Sequence, residues 1–299
     1  MGAAKPGAAF LSAVGMVSAS ALAYEVLLMR LFSVIQWHHF AYMIISLALL
    51  GYGVSGMVLA LNRERMVRNF SATIGANIVL FGVAAPLCFL LAQQFQFHPA
   101  EMLWMPLQWL NLFAVYLLLA IPFFFAANVI GLAFYYYRND VSAVYAADLL
   151  GAGGGSIAII VLLNLLFPQK ILAVLILSAV VSAWIAWRCG PADRGAEWGA
   201  WFGVPVFLGI AALVMTTQLL PLNVSPYKSQ PQLLLIPGTQ IIARNSSPLG
   251  VVSVVNSGIT PLRHAPGLSL NATIEPPGQL AVFTDADNMT AITRYEGDP

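Results

Sequence analysis

The chain has 299 residues, of which 60% are hydrophobic and 8% charged, with a formal net charge of +1. A soluble domain carries about 25% charged residues, so a chain this long and this apolar could not cover itself with a polar surface in water. The near-zero charge and the lack of a basic stripe exclude a nucleic-acid binder.

The first 220 residues read as a helical membrane domain of seven spans, at 8–34, 39–61, 70–92, 108–136, 144–167, 169–187 and 199–220. Each approaches or exceeds the ~20 apolar residues that cross a bilayer, so lipid is the first partner implied. Near the start, Lys5 precedes an apolar stretch, and Ala21-Leu22-Ala23 imitates a signal-peptidase site. Apolar character resumes at once in Val26-Leu27-Leu28-Met29, so an uncleaved first helix is expected. Pro122 is expected to kink the fourth span. Cys88 and Cys189 read as unpaired thiols rather than a disulfide framework.

Basic residues in short loops set orientation. An N-terminus in the cytoplasm places Lys5, Arg63, Arg65, Arg68, Arg138, Arg188 and Arg194 inside and only Lys170 in an outside loop. Seven crossings then put the C-terminal segment on the non-cytoplasmic face of the cell (inner) membrane. From residue 221 to 299, Pro, Gly, Asn and Ser punctuate short β-type runs at 240–243, 250–255 and 279–283, which predicts an extramembrane β-rich segment. Its apolar content is thin for an independent domain, and a fragment whose next domain lies beyond this chain is the expectation.

Polar residues inside the spans are the candidate functional groups. Glu25 and Arg30 lie in the first span, five residues and so about 140° apart on a helix. They are not natural side-by-side partners and belong near the outer interface, close to His38 and His39. Interfacial snorkelling and structural pairing compete with a functional role there. Asp148 begins the fifth span near the inner face, with Tyr145 one turn before it; capping or an ion pair at the helix start competes with a proton or substrate role, and Glu25 is expected at the opposite depth, so that the two do not pair. His38 and His39 point about 100° apart if helical, and no cysteine or carboxylate cluster joins them, so no metal site is read. Trp37, Trp104 and Trp109 read as interfacial aromatics. The run Gly151-Ala152-Gly153-Gly154-Gly155 imitates a nucleotide loop but lacks the strand before it. Gly151 and Gly155 stand four apart and read as a close helix-packing face. No Ser, His and Asp fall into a nucleophile–base arrangement.

Two motifs carry a family resemblance. The stretch Ala21-Leu22-Ala23-Tyr24-Glu25-Val26-Leu27-Leu28-Met29-Arg30-Leu31, with Tyr145-Ala146-Ala147-Asp148-Leu149-Leu150-Gly151-Ala152, resembles the membrane region of spermidine synthase-like proteins with an N-terminal multi-helix domain. Ser246-Ser247-Pro248-Leu249-Gly250-Val251-Val252-Ser253-Val254-Val255 resembles the first hairpin of aminopropyltransferases, and Val282-Phe283-Thr284-Asp285-Ala286-Asp287 is similar to their second strand and turn. The resemblance implies a membrane anchor for an aminopropyltransferase-like domain, with polyamine or another small amine as a partner. It implies decarboxylated S-adenosylmethionine as a cofactor only for the nucleotide-binding domain that would follow, so no catalytic residue is carried over and no cofactor is expected in this chain. Gly250 stands where the soluble enzymes tend to have glutamine, and Ala286 replaces the glycine of their Asp-Gly turn; both departures set polyamine chemistry apart. A transporter- or channel-like protein with an accessory tail, or a structural subunit, remains open, as does self-association into a homo-oligomer.

Overall fold

The computed structural model describes residues 5–95, 98, 101–189, 222–259, 262–265, 269, 271 and 277–293. Among these, six helices are long and apolar enough to cross a membrane: α1 (Ala8–Ile35), α2 (Ala41–Arg68), α3 (Phe70–Ala92), α4 (Leu107–Tyr136), α5 (Val141–Leu165) and α6 (Pro168–Cys189). They make the chain a membrane-embedded, multi-pass protein. The span expected at 199–220 lies outside the described residues. α2 runs past the expected boundary at 61 and takes Arg63, Arg65 and Arg68 into its final turns. Cations at a helix C-terminus are favoured by the macrodipole, so the basic cluster extends the helix instead of ending it. α4 continues through Pro122 without a break.

α1 is the central helix, packed chiefly on α5 and α6 and touching α2 and α4. It runs parallel to α5, with Gly15 against Gly151 and Ala19 against Gly155. It runs antiparallel to α6, where the Ser182 hydroxyl donates to Ala13 O at 2.9 Å and the Ser20 and Ser178 hydroxyls share a 2.7 Å bond. In lipid, hydrophobic burial does not drive helices together, so small residues and buried polar contacts do. A polar chain supplies the latter across α2, α4 and α3: Ser55 Oγ donates to Asn128 Oδ1 (2.7 Å), and Asn128 Nδ2 to Asn77 Oδ1 (3.0 Å).

The C-terminal segment holds a short helix α7 (Ser229–Leu234) and strands β1 (Thr239–Ser246), β2 (Val251–Ser257), β3 (Gln279–Thr284) and β4 (Asp287–Thr293). They form one antiparallel sheet in the order β1-β2-β3-β4. The expected runs correspond to β1, β2 and β3; β4, a polar edge strand, is additional. Asp285 and Ala286 both have positive φ (52° and 61°) and make the tight turn between β3 and β4, the geometry that matches the twist of a hairpin. The sheet's own core is small, with Val255, Ala281 and Phe283 packed against Leu233 and Leu262.

What fixes the sheet is the end of α1. A helix leaves its last four carbonyls without intrahelical donors. Here Phe32 O accepts from Gln36 N (2.8 Å), Ile35 O from Ser225 N (2.8 Å), and Ser33 O and Val34 O from Lys228 Nζ (2.6 and 2.9 Å). Three of the four therefore depend on the segment after residue 222. Because α6 is antiparallel to α1, its last turns lie at the end where α1 begins. The chain from Leu222 onward lies at the opposite end, where α1 finishes.

Candidate functional site

Between α1, α2, α4 and α5 lies a cavity of about 420 Å3. Small residues leave the space, among them Gly56 on α2, where a Cβ would meet nothing within 4 Å. Four polar side chains reach the wall: Ser18 on α1, Tyr52 and Ser55 on α2, and Asp148 on α5. Most of the remaining lining is apolar, including Leu22, Leu59, Ile130 and Phe134. The parallel packing of α1 on α5 places Ser18 Oγ in a short hydrogen bond to Asp148 Oδ1. Asp148 is seven residues into α5, about 10 Å along it at 1.5 Å per residue.

Glu25 does not touch Asp148, but the two are nearer than the sequence suggests. It follows Ser18 by seven residues, nearly two full turns, so both occupy one face of α1 about 10 Å apart. Tyr52 lies within electrostatic reach of Glu25 and of Asp148. Among the described residues neither carboxylate has a basic partner, and Glu25 has no hydrogen-bond partner. Of the two, only Asp148 lines the cavity.

The other candidates fall elsewhere. Arg30 leaves the cavity face and forms a bidentate ion pair with Asp285, with Nη2 at 2.8 Å from Oδ1 and Nη1 at 3.2 Å from Oδ2. His38 and His39 lie on a 3-10 turn (His38–Phe40) between α1 and α2, with His39 exposed. Tyr145 is exposed on α5, a turn away from Asp148. Gly151 and Gly155 sit within an unbroken helix, so the glycine run forms no loop. A Cβ on Gly155 would fall 2.6 Å from Ala19 Cα, and one on Gly151 2.7 Å from Gly15 Cα. Trp37, just past the end of α1, donates its Nε1 hydrogen to Asp287 Oδ2 at 3.1 Å. Among the described residues, no group of three or more His, Cys, Asp or Glu is placed to hold a metal ion.

A second polar cluster joins the sheet to the bundle. Lys228 is 1% exposed, and its third bond runs to Asp285 O at 2.6 Å. Three N–H groups thus meet three carbonyls, the full donor capacity of an ammonium. Burial pulls the Lys228 amine down to about 8, opposed by Asp285 and Asp287 and assisted by Arg30. The Asp285 carboxylate also accepts from Ser33 Oγ (3.1 Å) and Val251 N (2.9 Å). Burial works to raise Asp287, but hydrogen bonds from the Ser229 hydroxyl and backbone, nearby Lys228 and Trp37 hold it below the usual carboxylate range. Farther along the sheet, Arg244 stacks over Phe167 with 5.7 Å to the ring centroid.

Ser18 and Tyr52 escaped sequence reasoning, although the seven-residue spacing of Ser18 and Glu25 on a helix was a usable signal. Lys228 and Asp285 carried none, because their partners are backbone atoms and a residue 255 positions away. Comparison with family models, with curated proteins and with solved structures found no match to this chain.

Proposed function

We propose that this chain is the membrane and linker portion of a spermidine synthase-like protein. Its helical bundle serves as a fixed mount for an aminopropyltransferase-like domain that begins with the sheet. The observation that carries the mount is the Lys228–Arg30–Asp285 cluster, in which the sheet completes the bundle's central helix. A tether needs no such contacts, whereas a buried cation shared by three carbonyls from two elements holds both in one orientation. The motifs quoted above supply the resemblance, and decarboxylated S-adenosylmethionine would be used by the nucleotide-binding domain rather than here.

In this reading the N-terminus is cytoplasmic and the sheet non-cytoplasmic. The basic residues at the ends of α2 and α4 support this, and the sheet's position at the far end of α1 makes its side depend on α1 alone. The apolar segment 199–220 would supply the seventh span, in keeping with α6 ending at one end of the bundle and Leu222 lying at the other.

Spin labels at exposed Leu249 in the β1–β2 turn and exposed Tyr42 at the start of α2, with Cys88 and Cys189 replaced, test the mount. A single narrow distance distribution in nanodiscs is expected, broadening in Lys228→Ala. A broad distribution in the parent overturns the proposal.

The acidic cavity favours a second reading, a transporter-like membrane protein with the sheet as an accessory tail. Cation-dependent charge movement in proteoliposomes containing this chain alone would favour it over the mount.

A further inference from the structure

We propose that the cavity at Asp148 binds a small organic ammonium ion bearing an apolar body. This goes beyond the mounting role and stands or falls without it, because the cavity and the sheet junction share no residue.

An ionised carboxylate at membrane depth is costly unless it is paired. Asp148 has the Ser18 hydroxyl on one oxygen and no basic residue beside it among the described residues. Its second oxygen and the cavity beside it leave a place for a cation supplied from outside the chain. The cavity's size and walls select the kind of cation. About 420 Å3 is far more than a dehydrated metal ion fills, and hard metal ions require six or more oxygen ligands. Among the described residues the wall offers one carboxylate and three hydroxyls, and Ser55 already donates its proton to Asn128. An ammonium group needs only about three acceptors, which Asp148, Tyr52 and Ser18 can provide.

The apolar wall then requires an apolar body. Leu22, Leu59 and Ile130 can close on alkyl or aryl carbon, and the Phe134 ring adds a face for the cation. A diamine fits less well. Its second charge would lie against leucine and isoleucine, since Glu25, about 10 Å farther along α1, does not line the cavity.

Isothermal titration of the full chain in nanodiscs with 2-phenylethylamine tests the site. Saturable binding is expected, at least tenfold weaker in Asp148→Asn, which keeps the side-chain shape and an oxygen for Ser18. The neutral isostere 2-phenylethanol, the diamine putrescine and sodium ion should each bind at least tenfold more weakly than the monoamine. Gly56→Leu leaves Asp148 intact and fills the cavity from a position with no backbone clash, so it should abolish binding while the chain still folds. Absence of saturable binding to the parent overturns the proposal. So does equal affinity for the alcohol, putrescine or sodium, or unchanged binding in a folded Asp148→Asn or Gly56→Leu chain. Binding without charge movement would support the site while counting against the transporter reading.

Discussion

At the scale of single residues, Gly250 and Ala286 are both shaped by their closeness to Asp285. A side chain at Gly250 would meet Thr284 Cγ2 at 2.7 Å and come near the Asp285 carboxylate. That carboxylate is committed to Arg30, Ser33 and Val251, and a side chain at 250 would have to displace the Thr284 methyl beside it. Ala286 keeps the left-handed turn that a glycine would adopt freely, and its strain is held by the contacts around it. Asp287 makes the junction sensitive to acid. A carboxylate whose folded pKa is depressed contributes stability above its unfolded value and loses it as pH falls through the folded value. Lowering the pH below about 4, the unperturbed aspartate range, should therefore release the sheet, seen as faster proteolysis of residues 222–293 in detergent. Asp287→Asn should remove that pH step, and an unchanged step in the variant would assign it to another group. Structural pairing was a legible alternative for Arg30, but its partner was not: Asp285 lies 255 residues away until the fold brings the hairpin tip to the end of α1.

At the scale of elements, the membrane helices were legible because bilayer thickness imposes long apolar runs. Their ends were less so, as α2 shows by absorbing three arginines. The strand β4 was missed because Asp287-Asn288-Met289-Thr290-Ala291-Ile292-Thr293 lies at the sheet's edge, where one face and one flank need no apolar pattern. The α1–α5 contact allows a sharp comparison of neighbouring glycines. Gly155→Ala should destabilise the bundle by about 1–3 kcal/mol, the usual cost of overpacking, because the new methyl meets the Ala19 backbone. Gly154→Ala points into open space and should be neutral or stabilising by up to ~1 kcal/mol through helix propensity. Thermal melts in detergent check both. Equal melting temperatures for the two variants would remove the close-packing account.

At the scale of the whole molecule, orientation rests on α1. A cysteine at Leu249, which is 92% exposed, in a background lacking Cys88 and Cys189, should react with a membrane-impermeant maleimide in intact cells. Labelling only after lysis would place the sheet in the cytoplasm. The capping of α1 also bears on how the protein is made. Ser33 and Val34 wait for a lysine 195 and 194 residues downstream, a delay of roughly 10–40 s at ribosomal rates of about 5–20 residues per second. Throughout that interval the end of the first helix must be served by water at the membrane surface. The helix that enters the bilayer first is the last to be finished, and a ribosome that stalls before Lys228 leaves behind an inserted chain whose central helix still advertises its open carbonyls to quality control.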